Sequence, residues 1–303
     1  NSWRSYTIRN QDGSGACGPF AMAIALGRNE EKENGNYVNL DPAYIYNMRS
    51  NKPEAGMGMI NLFELACREG MPMDIALASD GKNDVELSAR TFTPEQVAQA
   101  QKYKALNYVF IRKDMDAIAE IIDEGITPVF ILRCQIDEWT TTPTVLYPSK
   151  NSDFNVNHFN PFIDFGLING KKVLVNQDSW GSQYGKNGLR FIDQDFLDRR
   201  VEVVGYVVDL PNTKPVEKPH YFFSKNLSYG LRNNTDVSAL QDILKYEGCL
   251  NAKIPSTGNF LDLTRLGVMK YQRKYAIASE KDIISANGNF GPLTRADVNK
   301  RFQ

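Results

Sequence analysis

The fold of this chain is decided by the stretch Gln11-Asp12-Gly13-Ser14-Gly15-Ala16-Cys17-Gly18-Pro19-Phe20, followed by an apolar run to Leu26. The run predicts a long helix with Cys17 in its first turn, where the missing N–H of Pro19 would have no helical partner anyway. A thiol at a helix N-terminus faces the positive end of the helix dipole and unpaired N–H groups, which stabilise the thiolate. Cys17 is therefore a candidate nucleophile. The alternative is a cysteine buried as a small apolar residue.

Length and composition indicate a globular protein of more than one domain. At 303 residues the chain exceeds the size of an average single domain, and we expect two. A hydrophobic content of 42% is sufficient for a sizeable core. The net charge of −1 favours neither a nucleic-acid partner nor a membrane surface. No apolar run approaches the roughly 20 residues needed to span a bilayer, so no membrane span is expected.

The cysteines and histidines restrict the chemistry that the chain can carry. Four cysteines (Cys17, Cys67, Cys134 and Cys249) are scattered without metal-type spacing, and the two histidines are His158 and His220. We therefore expect no metal and no cofactor, whereas a disulfide between two of the cysteines stays open. If Cys17 pairs with a histidine, only two candidates exist. The chain begins at Asn1 and has no signal-peptide core, so any signal or pro-segment is expected upstream.

Helical patterns come first along the chain and strand patterns follow, which predicts an α+β domain in two lobes. The polar run at 28–36 is expected to be a solvated turn. The predicted helices are one starting at Pro42 with Asp41 as its cap, then Ile60–Cys67, Thr93–Ala105 and Asp114–Glu124. The predicted strands are Thr127–Cys134, His158–Leu167, Lys172–Val175, Arg190–Ile192 and Val201–Val208.

A predicted hairpin supplies partners for the cysteine. Asn169-Gly170 is a strong signal for a two-residue turn. His158 begins one strand of this hairpin and Asp178 follows the other, so the two side chains can meet. A cysteine nucleophile needs an imidazole base, and that imidazole needs a group to orient it. Asp178 is our first candidate for this group, and Asn176 is the second. Gln11 lies close enough to Cys17 for its amide to help the Cys17 N–H bind an oxyanion.

The ordered set Q-x-G-x-x-x-C (Gln11 to Cys17), N-H (Asn157 and His158) and D-S-W-G-x-x-Y-G-x-x-G (Asp178 to Gly188) resembles papain-like cysteine peptidases. The resemblance covers about residues 1–210 and implies a two-lobed fold of a helical lobe and an antiparallel β lobe. It implies the roles of nucleophile for Cys17, base and acid for His158, orienter for Asp178 and oxyanion donor for Gln11. The implied substrate contacts are Gly56, Met57, Met59, Asn157 and Trp180.

Three positions depart from the pattern of that family. Gly18 stands where a tryptophan usually follows the cysteine, and Ser14 stands where a disulfide cysteine often lies. Asp178 replaces the usual asparagine. A carboxylate would hold an imidazolium more strongly than an amide does, so an ion pair with the thiolate is still expected.

The last part of the chain forms a separate unit behind a proline-rich linker at 211–223. Gly258–Arg265 recurs as Gly288–Arg295, and apolar spacing predicts helices at 236–246, 263–275 and 293–302. With motifs such as Tyr271-Gln272, residues 224–303 resemble the peptidoglycan-binding three-helix domain. That resemblance implies a cell-wall anchor.

Together the two resemblances imply a cysteine endopeptidase with a thioester intermediate, held at the cell wall, which is extracellular or in the cell envelope. Its expected partners are a protein or peptide substrate and peptidoglycan, and not nucleic acid. One alternative is a hydrolase of peptidoglycan stem peptides. The other is an inactive papain-fold protein with a binding or structural role, which Gly18 and Asp178 leave open.

Overall fold

The computed structural model describes residues 3–140, 154–208, 218–250 and 256–303, and the chain forms two compact units, Asn1–Asp209 and Leu210–Gln303. The helices of the first unit are α1 (Cys17–Asn34), α2 (Pro42–Asn47), α3 (Met59–Arg68), α4 (Asp84–Ala89), α5 (Pro94–Ala100), α6 (Met115–Asp123), α7 (Ile136–Thr140) and α8 (Gln194–Arg200). Its strands are β1 (Asn107–Ile111), β2 (Val129–Cys134), β3 (Val156–Ile168), β4 (Lys171–Gln177), β5 (Leu189–Ile192) and β6 (Val201–Val208).

The strands form a six-stranded antiparallel sheet in the order β1-β6-β2-β3-β4-β5. This sheet with its helices confirms the predicted α+β class. The predicted strands and the helices α2, α3, α5 and α6 are present within a few residues of their expected ends. Strand β1 was not predicted and pairs with β6, whereas α4, α7 and α8 are helices of five to seven residues that were also missed.

Helix α1 is the central helix of the first unit. Residues 17–27 are all buried, as expected for a helix that is apolar on every side, and the helix packs against β3. The predicted turn at 28–36 is wrong, because the helix continues to Asn34. An ion pair between Arg28 and Glu31 at 2.6 Å supports this polar end, and Gly35 then closes the helix with a φ of 79°.

The hairpin of β3 and β4 is confirmed. Asn169 and Gly170 both have positive φ, 50° and 77°, which is the conformation of the two-residue turn that suits twisted strands. The register runs from Ile168 opposite Lys171 to Phe162 opposite Asn176, with a bulge near Phe162. The same pairing brings the start of β3 next to the chain that leaves β4.

The second unit contains α9 (Thr235–Tyr246), α10 (Asp262–Lys274), α11 (Glu280–Ser285) and α12 (Pro292–Phe302). Three of these were predicted, and the short α11 was not. Of the predicted linker, residues 211–217 lie outside the described residues. Tyr221 and Phe223 were placed in the linker but pack within this unit: Phe223 is buried, and the Tyr221 N–H donates to the Phe302 carbonyl at 2.8 Å.

The two copies of the internal repeat in the second unit share one pattern of hydrogen bonds. In each copy a glutamine from an earlier helix, α9 or α10, donates to a carbonyl in the turn and to a threonine hydroxyl on the helix after the turn. The bonds are those of Gln241 to Asn259 (3.0 Å) and Thr264 (2.8 Å), and of Gln272 to Asn289 (3.1 Å) and Thr294 (2.9 Å). The sequence repeat therefore corresponds to a repeated turn-and-helix structure.

None of the helices in the described ranges is both long enough and apolar enough to cross a membrane.

Candidate active site

Cys17 is the first residue of α1, and Ala16 caps the helix without a side-chain hydrogen bond. The first helical bond runs from the Phe20 N–H to the Ala16 carbonyl at 3.1 Å, so the helix itself does not use the N–H groups of Cys17 and Gly18. Cys17 is only 9% exposed and lines a cleft. Cys17 and the other three cysteines are free.

His158 lies near the start of β3 and is buried. Its Nε2 is 2.8 Å from Asp178 Oδ1, and its ring lies 5.0 Å from the ring of Trp180 and 5.7 Å from that of Trp139. Because Nε2 is engaged with the carboxylate, Nδ1 is the nitrogen left for Cys17. Asn160, on the same face of the strand, can place its amide oxygen 3.3 Å from Nε2.

The electrostatics of the site favour a protonated imidazole. Burial lowers the pKa of His158, but the charge and hydrogen bond of Asp178, together with the hydrogen bond and charge of Cys17, outweigh this and raise the pKa to about 9. At neutral pH the histidine is therefore an imidazolium beside the sulfur of Cys17. This is the protonation state that a cysteine–histidine ion pair requires.

Asp178 is a buried carboxylate with four hydrogen bonds. Oδ1 accepts from His158 and from the Ser179 N–H at 2.8 Å each, and Oδ2 accepts from Trp139 Nε1 at 2.9 Å and Arg190 Nε at 2.8 Å. Burial alone would raise its pKa, but the charges and hydrogen bonds of His158 and Arg190 lower it below the ordinary value. Among the residues that the structure describes, the Asn176 side chain has no hydrogen-bond partner, whereas Asp178 contacts the imidazole directly.

Gln11 is held beside Cys17 by the chain that follows Asp178. Its N–H donates to the Ser179 carbonyl at 2.8 Å, and its Oε1 accepts from the Ser179 hydroxyl at 2.6 Å. One proton of Nε2 is donated to the Ser14 carbonyl, which leaves the second proton of this amide available. This arrangement fixes which end of the amide is the donor.

A cleft of about 510 Å³ brings five of the predicted site residues together. Gln11, Cys17, Asn157, His158 and Trp180 line it, and Asn157 is exposed while Trp180 is half-buried. The remaining lining side chains are mostly amides and hydroxyls. The wall of the cleft can therefore hydrogen-bond an extended polar backbone.

Three predicted substrate contacts do not line this cleft. Met57 is buried in the core cluster, and Met59 is half-buried against the same cluster. Gly56 lies close to the loop before Cys17, because a Cβ on Gly15 would be 2.3 Å from the Gly56 nitrogen. Their role in substrate binding stays a prediction.

Packing explains the glycine at position 18. A Cβ there would lie 3.1 Å from Leu62 and 3.6 Å from Phe159, so a tryptophan does not fit without rearrangement. Phe159 directly follows His158, and its side chain lies beside Gly18, the residue after Cys17.

Three residues around the imidazole were missed by sequence reasoning: Trp139, Asn160 and Arg190. Asn160 had a signal, because alternation along a strand puts it on the same face as His158. Arg190 also had one, since a charge inside an otherwise apolar strand needs a buried partner. No sequence signal pointed to Trp139, because it lies 39 residues from Asp178 in the chain.

Within the described ranges, no group of three or more His, Cys, Asp or Glu side chains could hold a metal ion.

No family model matches the chain. Similar solved structures are those of papain-like cysteine proteases. Xylellain, a cysteine protease from Xylella fastidiosa, has a TM-score of 0.59 at 16% identity over 68% of this chain and 84% of its own. The bromelain protease from Ananas comosus, solved with the E64 inhibitor, has a TM-score of 0.54 at 16% identity, over 68% and 94%. Digestive procathepsin L 3 from Tenebrio molitor has 0.54 at 17%, over 67% and 66%.

The mixed helix-and-sheet fold is thus papain-like. At these identities the likeness defines the fold, and the chemistry has to be argued from the site itself.

Proposed function

We propose that the chain is a cysteine endopeptidase. The observation that carries this proposal is the buried His158–Asp178 pair, 2.8 Å apart, whose histidine lines the same cleft as Cys17 at the start of a helix. In the proposed reaction the Cys17 thiolate attacks a peptide carbonyl. The oxyanion is bound by the Cys17 N–H and by Gln11 Nε2. His158 gives its proton to the leaving amine, which breaks the C–N bond and leaves a thioester.

Water completes the proposed cycle. His158, now neutral, takes a proton from the water that attacks the thioester, and the carboxylic acid product leaves as the thiolate re-forms. No metal or organic cofactor enters any step. Asp178 keeps the imidazole oriented and remains ionised throughout.

Turnover of casein and of fluorogenic peptides tests the proposal. Cys17→Ala should abolish cleavage, and Cys67→Ala is the matched control because that half-buried thiol lies on α3, outside the cleft. Loss of activity in the first variant with retention in the second supports a Cys17 nucleophile. A folded wild-type chain that cleaves neither casein, peptides nor purified sacculi would instead favour an inactive binding or structural protein.

We further propose that the second unit binds peptidoglycan, so that the enzyme works outside the cytoplasm at the cell wall. The proposal is supported by the resemblance of residues 224–303 to peptidoglycan-binding domains and by the glutamine-held repeat. Co-sedimentation with sacculi tests it with the full chain carrying Cys17→Ala, compared with residues 1–209. Equal sedimentation of both would remove the assignment.

If the second unit binds the wall, the stem peptides of the wall itself are a second candidate substrate. Release of soluble muropeptides from sacculi by the wild type, lost in Cys17→Ala, would identify it. Cleavage of casein without muropeptide release would favour protein substrates.

A further inference from the structure

We infer that Arg190 is a positioning residue for the proposed peptidase, because its guanidinium and the Asp178 carboxylate form one buried unit that holds His158. This inference rests on the proposed function. It concerns a residue of β5 that is not among the described residues lining the cleft.

Arg190 is fixed from several directions. Its side chain is 1% exposed, its Nε donates to Asp178 Oδ2 at 2.8 Å, and one terminal nitrogen donates to the Trp139 carbonyl. The guanidinium also lies 4.6 Å from the centroid of the Trp139 ring. Since Trp139 Nε1 donates to the same carboxylate oxygen, the arginine and the tryptophan together fix the plane of that carboxylate.

The charges around His158 balance only if Arg190 is included. The groups that face the imidazole are Asp178 and the sulfur of Cys17, and Arg190 lies behind Asp178. With a thiolate and an imidazolium, these four groups carry two negative and two positive charges. The nearby Glu138 is paired separately with Arg200 at 2.7 Å. Arg190 is thus the counter-charge that lets a carboxylate, in place of an amide, stand buried behind the imidazole.

The pairing has a consequence for variants of both residues. Asp178→Asn alone would leave Arg190 as a buried cation without its anion, and Arg190→Met alone would leave Asp178 with one counter-charge fewer. The double variant removes both charges together and leaves a neutral amide beside His158. The two substitutions should therefore compensate each other, which independent residues would not do.

Two readouts test the inference, one of which does not depend on turnover. The chain has only two histidines, so NMR of histidine-labelled protein follows the titration of His158 directly, and His220→Gln assigns the other signal. Arg190→Met should move the His158 midpoint upward by about half a pH unit or more, because the carboxylate then acts on the imidazolium without its arginine. Arg190→Lys keeps the charge and should leave the midpoint near that of the wild type.

The second readout is kcat/KM against pH. Arg190→Met should lower kcat/KM by about tenfold or more and move its basic limb upward, with Arg190→Lys recovering part of the loss. Asp178→Asn should be about tenfold worse than Asp178→Asn with Arg190→Met. A folded Arg190→Met that matches the wild type in midpoint and kcat/KM overturns the inference.

The remaining outcomes are also decisive. If Arg190→Met does not fold, the comparison of the double variant with Asp178→Asn still decides, and a double variant no better than Asp178→Asn refutes the coupling. A wild type without turnover counts against the proposed function, and the NMR titration then decides the coupling alone.

Discussion

At the scale of single residues, Asp178 determines the charge and the hydrogen bonding around the imidazole of the candidate site. An asparagine at this position would orient the imidazole by one hydrogen bond, whereas Asp178 also raises the pKa of His158 and forms an ion pair with Arg190 at 2.8 Å. The carboxylate makes four hydrogen bonds, and the Asp178 side chain is fully buried. Such a group is rigid because every bond that it loses leaves a buried donor unpaired.

This electrostatics predicts how stability depends on pH. The pKa of His158 is about 9 in the folded chain against an ordinary 6.5, so the folded state keeps a proton that the unfolded state loses. The stabilisation is complete below pH 6.5 and is lost as pH rises to about 9. Within that window the free energy of unfolding of the first unit should fall by up to about 1.4 kcal/mol per pH unit.

Urea unfolding followed by tryptophan fluorescence measures this dependence, since Trp3, Trp139 and Trp180 all lie in the first unit. His158→Gln should remove the slope. His220→Gln changes an exposed residue of the second unit and should leave it intact. A flat profile in the wild type would contradict the charged, buried histidine.

A second prediction concerns Gly15, two residues before Cys17. A Cβ at this position would lie 2.3 Å from the Gly56 nitrogen, so Gly15→Ala must push two backbone segments apart. We expect a loss of about 1–3 kcal/mol in stability, and a lower kcat/KM because the cysteine loop moves. Gly58→Ala is the control, because its Cβ meets no atom within 4 Å and its φ is already negative, at −76°. Equal stability of the two variants would contradict the close approach.

At the scale of elements, the β3–β4 hairpin connects the sequence to the site. Its two-residue turn fixes the register, and the register determines whether His158 and the chain after Gln177 lie side by side. Helix α1 contributes the third partner, because it is buried against β3 and begins at Cys17. The site is therefore built on a helix terminus and a strand pair rather than on loops alone.

Substitution of the turn tests the importance of this register. Gly170 has a φ of 77°, where a β-branched residue is strained, so Gly170→Val should cost about 1–2 kcal/mol and lower kcat/KM. Asn169→Gly introduces a residue that also tolerates the observed φ of 50°, so this substitution should have a small effect. Urea unfolding and peptide turnover measure both variants, and a neutral Gly170→Val would show that the turn does not set the register.

At the scale of the whole molecule, the candidate catalytic residues and the sequence repeat lie in different units of the chain. All candidate catalytic residues lie in Asn1–Asp209, and the second unit has its own core and its own hydrogen-bonded repeat. Units with separate cores can fold and act independently.

Removal of the second unit tests this independence. Residues 1–209 should retain kcat/KM on a small peptide within about twofold, because no group of the proposed chemistry is lost. Turnover by the truncated and full chains under the same conditions measures the difference. A folded first unit without activity would show that the second unit contributes to catalysis.

The sequence by itself determined the local features: a cysteine at a helix start, a hairpin turn that needs positive φ, strands after helices and a repeated turn in the tail. These follow from neighbouring residues, whose spacing and backbone preferences are visible in the chain. Only the tertiary structure decided that Trp139 and Arg190 meet on Asp178, that Phe159 fills the space beside Gly18, and that Met57 turns into the core. Such contacts join residues from separate elements, and packing geometry rather than local propensity selects them.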